Sequence, residues 1–385
     1  MRVLEVISDT NIGGAGVLLL SRLRHSDRSR FKTTVLLPSG SALAPRFRAI
    51  GVSVCFMRGC RDRSNDMRCV GELVGIIRRL RPQLINCHGC FCARVAAMIA
   101  GVPIRIYTRH CAYPVSSLRR TPPYRVAFGL GTRMLSHHAI AVAEAARKNL
   151  LDMGMPPSRI SVIINGAEGL ERLDEGERRA WRTRLGIPDG KIVIGISARL
   201  VSCKDHACFL RAAARLHRKR DSYFFLIVGD GELRRSLEIE AARLGLSRCT
   251  RFVGFVEDVT PYINLMDIHV NCSVGTETSS LAISEAMSLG IPTVASDFGG
   301  NPYMVRDGEN GLLYPAGNDE ALAACLARLA HTPSLYQAVC AGARARFLSE
   351  LNAPQMTKKT EQLYARLFHK FLGCSVTDRA DSSQY

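Results

Sequence analysis

The sequence predicts an α/β chain of two domains, each a parallel sheet with helices on both faces. Three observations predict it. The chain has 385 residues, enough for two ordinary domains with a sizeable core in each. Short apolar runs alternate with amphipathic stretches along nearly its whole length. That alternation breaks once, at the charged segment Gly169–Arg184, and then restarts.

The first half opens on strand Val3–Ile7, a glycine turn (Gly13, Gly14, Gly16) and a helical pattern over Val17–Leu23. Strand, glycine loop and helix in this order open a nucleotide-type βαβ unit, so both domains are read as Rossmann-like. Strands follow at Thr33–Leu37, Val52–Met57, Leu84–Cys87, Ile104–Thr108, Ala139–Ala143 and Ile160–Ile163, with helices at 46–50, 69–80, 92–100 and 144–152 between them. The second half places strands at Ile192–Ser197, Tyr223–Val228, Thr250–Phe252, Ile268–Cys272 and Thr293–Ala295. Its helices are expected at 206–217, 233–244, 280–288 and 319–329, continuing to about Phe347. Segment Phe298–Gly311 reads as turns, and Gln355–Phe371 as an amphipathic helix. The expected domains are 1–170 and 171–354, then a helix at 355–373 returning to the first domain and a disordered tail at 374–385.

Composition narrows the function. Hydrophobic residues make up 47% of the chain, and no apolar run approaches a membrane span, so a soluble protein is expected. The N-terminus lacks the pattern of a signal peptide, and the 14 cysteines then read as reduced thiols of a cytoplasmic protein. Cys87, His88, Cys90 and Cys92 cluster without a second pair at zinc-finger spacing, so the expected reading is a buried strand end rather than a metal site. The net charge of +18 attracts polyanions, yet only 6% of residues are aromatic and no RNA-binding motif occurs. We expect no nucleic-acid partner, and instead a phosphorylated small molecule and an anionic membrane surface. The basic, apolar segment Val115–His138 is the candidate for that surface, with an ordinary packed helix as the alternative.

The residues that carry chemistry concentrate in the second half. Glu277 lies in a turn, and Glu285 lies in the helix that follows Ser280. The turn Ser279-Ser280-Leu281 delivers backbone N–H groups into a helix N-terminus, an anion site suited to a diphosphate. Arg199 and Lys204 follow strand Ile192–Ser197 at its C-terminal end, where open α/β sheets bind ligands. Gly229, Asp230 and Gly231 form a turn after strand Tyr223–Val228. In the first half, Gly13, Gly14 and Ala15 present bare backbone, and His110 follows strand Ile104–Thr108. His88 also ends a strand, and could border an acceptor. No Asp-x-Asp pair occurs, so no metal cofactor is expected.

The segment from Ser273 to Asn310 resembles the retaining glycosyltransferases of the GT-B fold, family 4. The resemblance rests on Glu277, Glu285, Ala286-Met287, Gly290, Pro292, Val294-Ala295-Ser296, Gly299-Gly300 and Asn310-Gly311-Leu312-Leu313. Further matches are Gly13-Gly14-Ala15, Ala143-Glu144, Asn165-Gly166, Arg199-Leu200, Lys204 and Gly229-Asp230-Gly231, so it extends over about residues 1–350. The wording of the segment is similar to a bacterial polysaccharide or lipopolysaccharide subgroup. One departure stands out: Asp205 follows Lys204 where many relatives have glycine.

The resemblance implies two Rossmann-like domains facing across a cleft. It implies transfer of a hexose-type sugar from a UDP- or GDP-linked donor to a hydroxyl of a glycan or lipid-linked acceptor, with retention. Arg199 and Lys204 would hold the diphosphate, Glu285 the ribose and Glu277 the donor sugar. His110 would orient the sugar or stabilise the oxocarbenium-like centre. Gly14, Ala15, Gly229, Asp230, Phe255, Ser279, Ser280 and Leu281 would complete the donor site. Rival readings are a sugar-nucleotide epimerase on the same fold and a non-catalytic sugar-nucleotide-binding scaffold.

Overall fold

The computed structural model describes residues 1–8, 10, 13–59, 65–111 and 121–373. The chain groups into two compact units: Met1–Gly166 together with the chain from Ala353, and Ala167–Asn352. The expected tail at 374–385 lies outside the described residues.

Unit 1 is a seven-stranded sheet, entirely parallel, in the order β3-β2-β1-β4-β5-β6-β7. Its strands are β1 (Arg2–Ile7), β2 (Lys32–Pro38), β3 (Ser53–Met57), β4 (Leu84–His88), β5 (Ile104–Arg109), β6 (His138–Ala141) and β7 (Ile160–Val162). The connecting helices are α1 (Gly14–Arg24), α2 (Ala44–Ala49), α3 (Val70–Leu80), α4 (Phe91–Ile99), α5 (Pro122–Leu135) and α6 (Glu144–Asp152). Both faces are covered. Leu73, Ile76, Ala93 and Ala96 pack on one cluster, and Leu19, Leu23, Leu43 and Phe47 on another. Buried sheets of this kind need near-continuous apolar strands, and Val35–Leu37 supplies one.

Unit 2 repeats the plan with six parallel strands in the order β10-β9-β8-β11-β12-β13. The strands are β8 (Ile192–Ser197), β9 (Tyr223–Val228), β10 (Thr250–Gly254), β11 (Ile268–Asn271), β12 (Thr293–Ser296) and β13 (Gly311–Tyr314). The helices are α7 (Glu175–Leu185), α8 (His206–Lys219), α9 (Arg234–Arg243), α10 (Thr260–Asn264), α11 (Leu281–Ser288), α12 (Asn301–Met304), α13 (Asp319–His331) and α14 (Pro333–Arg346). Strand β9 is buried along its whole length, as an apolar six-residue run in a covered sheet must be.

The charged segment after Gly169 forms α7 because its ends are capped. The Asp174 carboxylate accepts from the Glu177 N–H at 2.8 Å, and the Glu177 side chain accepts from the Asp174 N–H at 3.0 Å. Gly186 closes the helix in the left-handed conformation, with arginines in the last turn facing the negative helix end. Three elements depart from the sequence expectation. Segment Phe298–Gly311, read as turns, contains the short helix α12, and β13 and α10 were not anticipated. All three have five residues or fewer, too short for a periodic pattern to emerge.

The chain re-enters unit 1 through α15 (Ala353–Leu372). Its buried face carries Met356, Thr360, Leu363, Tyr364 and Leu367. Thr357 Oγ1 donates to the Arg22 carbonyl at 3.1 Å, and Glu361 accepts from Ser26 Oγ at 2.7 Å and from the Asp27 N–H at 2.9 Å.

Candidate active site

Strand order reverses between β8 and β11 in unit 2, and ligands of open α/β sheets bind beyond the carboxyl ends of the strands at such a point. The loops after β8, β9 and β11 therefore form the first candidate site. They are stitched to one another by main-chain bonds. The Leu200 N–H donates to the Asp230 carbonyl at 3.0 Å, and the Val274 N–H donates to the Cys203 carbonyl at 2.9 Å.

Glycine makes this stitching possible. A Cβ on Gly229 would lie 2.0 Å from the Ala198 carbonyl oxygen, and one on Gly300 would lie 1.5 Å from that of Thr278. The Gly300 N–H donates to the Glu277 carbonyl at 3.2 Å, so Gly299-Gly300 forms the floor on which the Glu277 turn rests.

Lys204 and Glu277 meet on these loops. Lys204 Nζ donates to Glu277 Oε2 at 2.5 Å and to Ser273 Oγ at 3.3 Å. Ser273 Oγ donates to the same carboxylate oxygen at 2.7 Å, and Asn271 Nδ2 reaches it at 3.4 Å and Ser280 Oγ at 3.2 Å. Burial alone would raise the Glu277 carboxyl, but the Lys204 ammonium and these donors hold it below the usual carboxylate range. Lys204 remains 23% exposed in the pair, so its charge reaches the site surface.

The residue after Lys204 explains the departure from glycine. Asp205 takes φ +43°, ψ +51°, the left-handed region that glycine, asparagine and aspartate tolerate best. Its carboxylate accepts from the Cys208 N–H at 3.1 Å and caps α8. Aspartate thus keeps the backbone a glycine would have and adds a cap.

The other unit 2 candidates surround this pair to different degrees. Ser280 is the N-cap of α11 and bonds none of that helix's N–H groups with its side chain, leaving the first turn open to an anion. Leu281 begins the helix, and Ser279 Oγ is buried without a hydrogen-bond partner. Glu285 lies one turn further along α11, and burial pushes its carboxyl up to about 7. Asp230 accepts from the Gly231 N–H at 2.8 Å and from Arg234 at 2.9 Å, beside Phe255, whose ring is 74% exposed. Arg199 is exposed, and its guanidinium has no bond to Lys204 or Glu277. Asn271 and Ser273 were not singled out from the sequence. The available signal was a pair of polar residues at the carboxyl end of an apolar strand.

Unit 1 reverses its strand order between β1 and β4, and its candidates gather there. Gly13 caps α1, Gly14 and Ala15 begin it, and a Cβ on Gly14 would meet nothing within 4 Å. His110 follows β5, and its Nε2 lies 2.8 Å from His88 Nδ1. His88 in turn reaches Glu5 at 2.8 Å. Burial pushes the His110 imidazole down to about 3. Glu5 was hidden in an apolar strand, and only its charge within that run could have flagged it.

The cysteine cluster is core. Cys87, Cys90 and Cys92 are buried among Ile85, Ala93 and Ala96, with the Cys90 and Cys92 sulfurs 3.4 Å apart. Burial pushes the Cys87 thiol up to about 12. Among the described residues no group of three or more potential ligands is arranged to hold a metal ion. Of the basic segment 115–138, residues 115–120 lie outside the described residues. Residues 122–135 form α5, where only Gly129 and Thr132 are buried while Tyr124, Val126, Phe128, Leu130 and Met134 are exposed, and His138 is buried at the start of β6.

Two doubly wound units, with a lysine–carboxylate pair beside an open helix N-terminus, define a two-domain α/β protein of the GT-B class. The family models agree: glycosyltransferase family 4 matches residues 12–168, and glycosyl transferases group 1 matches residues 191–332. The chain belongs to these glycosyltransferases, on the GT-B fold. EpsD of Bacillus subtilis is 30% identical over 49% of this chain and 49% of its own, so the chain spans about half the length of that relative. The UDP-Gal:alpha-D-GlcNAc-diphosphoundecaprenol alpha-1,3-galactosyltransferase of Escherichia coli is 26% identical over 79% of this chain and 81% of its own. The crystal structure of Anabaena Alr3699/HepE in complex with UDP and glucose shares the fold. Its TM-score is 0.81 at 21% identity, covering 95% of this chain and 100% of that one. No described helix is long and apolar enough to cross a membrane.

Proposed function

We propose that the protein transfers a hexose from a nucleoside diphosphate sugar, with a uridine donor favoured, to a hydroxyl of a glycan or lipid-linked acceptor, with retention. The observation that carries this reading is the Lys204–Glu277 pair at the β8/β11 crossover, next to the uncapped start of α11. An ammonium and a helix N-terminus together neutralise a diphosphate and the charge that grows on it as the sugar departs. Arg199, exposed on the same loop, is the second cation. Glu277 is released from Lys204 to contact the sugar, Glu285 takes the ribose hydroxyls, and Phe255 offers a face to the base. His110 is assigned to orienting the transferred sugar.

The reading needs no metal cofactor, because fixed cations occupy the role a divalent ion would have, and activity is expected to survive EDTA. A uridine donor is supported by the Escherichia coli relative, named for UDP-Gal, and by the UDP held in the Anabaena structure. The exposed apolar side chains of α5, set among arginines in a chain of net charge +18, favour work on the anionic inner face of the cytoplasmic membrane.

Melting the full chain with a panel of UDP- and GDP-sugars tests the donor assignment, since a ligand that binds only the folded state raises the melting temperature. A shift with one donor, lost in Lys204→Ala, is expected. The absence of a shift with any nucleotide, in folded protein, sinks the proposal.

A further inference from the structure

The cluster at the β1/β4 crossover contains more machinery than the reading above uses. Glu5 is fully buried, and its two oxygens accept from four donors. Oε1 takes Arg22 Nη2 and, at 2.8 Å, the Tyr364 hydroxyl. Oε2 takes His88 Nε2 at 2.8 Å and Asn86 Nδ2 at 3.0 Å. Asn86 is itself held by Thr108 Oγ1, which donates to its Oδ1 at 2.8 Å. Burial would raise the Glu5 carboxyl, yet Arg22 and the His88 bond outweigh it and hold it at about 2. Glu5 is therefore an acceptor only.

That fixes the protons along the chain. An ionised Glu5 requires a hydrogen on His88 Nε2. In the imidazole tautomer that bears this one hydrogen, Nδ1 carries a lone pair. His88 Nδ1 and His110 Nε2 lie 2.8 Å apart, so the hydrogen between them belongs to His110. From this order of donors we propose that Glu5 and His88 are positioning residues that lock His110 as its neutral Nε2–H tautomer. The inference deepens the transferase reading, in which His110 orients the sugar, and rests on it for its consequence but not for its test. The arrangement follows the general rule that the bond made by one ring nitrogen sets the state of the other. It also gives a buried carboxylate with two cationic or imidazole partners a reason to exist in an otherwise apolar strand.

Nitrogen-15 NMR of histidine-labelled full-length protein reads the tautomer directly, with His110 assigned from a His110→Gln variant. The expected wild-type signature is a protonated Nε2 and a bare Nδ1 on His110 at neutral pH. In His88→Gln the facing amide can donate or accept, and His110 is expected to average between tautomers. Glu5→Gln is expected to do the same at one remove. Should Glu5→Gln fail to fold, His88→Gln leaves the Glu5–Arg22 pair intact and decides alone. A wild-type His110 that carries its hydrogen on Nδ1, or a His88→Gln protein with an unchanged His110 signature, overturns the proposal.

Kinetics on the same proteins reads the consequence. UDP release from the donor that stabilises the wild type should fall on the order of ten-fold or more in kcat for His88→Gln, as expected for a wrong tautomer, with KM little changed. A KM-only effect argues against positioning. A wild type that releases UDP from no donor, but shows the tautomer, refutes the transferase reading and leaves the lock standing.

Discussion

Unit 1 and unit 2 each place a buried carboxylate at the point where the strand order reverses, and the two carboxylates are kept differently. Glu5 has no exposure, and four donors saturate it, Arg22 among them at 7% exposure. Glu277 leans on a lysine that stays 23% exposed and on two neutral side chains, Ser273 and Asn271. A saturated ion pair can only hold its surroundings in place, because exchanging any partner exposes an uncompensated charge. A pair with one partner at the surface can open when a competing anion arrives. The same topology thus yields a fixed post in one unit and an exchangeable contact in the other.

Removing the fixed post should have the largest effect on stability. Glu5→Ala strands Arg22 without its counter-charge, a loss of about 3–5 kcal/mol by analogy with other broken buried pairs. The expected result is a large fall in melting temperature or in soluble yield. A variant that melts like the wild type would erase the contrast between the units.

Lys204→Ala should reverse the pattern. Glu277 keeps Ser273 and Asn271, and water can take the place of a lysine that is 23% exposed, so the stability loss should be smaller than that of Glu5→Ala. The rate of donor turnover should nonetheless fall by about 10²–10³, the range for losing one preorganised partner of a developing oxyanion. Melting curves and UDP release on the same preparation separate the two. A stability loss as large as that of Glu5→Ala would make Lys204 a structural residue as well.

Glu285 sharpens the comparison because it is half-buried with neither arrangement. Its carboxyl is raised to about 7 from an unfolded value near 4.5, so the folded state binds the extra proton between those limits. Stability from the neutral form is complete below about pH 4.5 and is lost as pH rises through 7, by up to about 3 kcal/mol. Glu285→Gln should therefore match the wild type at pH 5 and melt higher at pH 8. Nucleotide affinity should run the other way: ribose hydroxyls donate best to the ionised form, so UDP should bind wild type more tightly at pH 8 than at pH 6. Parallel pH profiles for the wild type and Glu285→Gln in both measurements would remove Glu285 from the site.

The contrast also marks what could be read from the sequence. The two sheets were legible because their strands are apolar runs that alternate with amphipathic helices, as at Tyr223–Val228 and His206–Lys219. Lys204, Glu277 and Ser280 were legible because exchangeable contacts sit on loops at strand ends, where a charge has no packing role to hide behind. Glu5 and Tyr364 were not, because each occupies a regular position of a buried strand or helix face and differs from its apolar neighbours only by one polar group. Asp205 was flagged as a departure, but its left-handed backbone and its cap on α8 needed coordinates. Strand β13 was missed because Gly311–Tyr314 is too short to carry a period, although its residues had been noted as a motif.

The smallest effect on folding is expected on α5, where burial is least. Phe128 is 45% and Met134 63% exposed, so replacing both with serine should change stability by only about 0.5 kcal/mol, the range of surface substitutions. If those side chains dip into a bilayer, the same change should lower binding to vesicles containing phosphatidylglycerol several-fold, since each buried apolar side chain contributes about 1.5–3 kcal/mol on leaving water. Arg125→Gln with Arg133→Gln should weaken binding to those vesicles at low salt while leaving neutral vesicles unaffected. Co-sedimentation with anionic and neutral vesicles measures both. Equal binding by the wild type and the serine pair would mean that α5 is only a loosely packed neighbour of α4, and the surface-bound role would then have to rest on net charge alone.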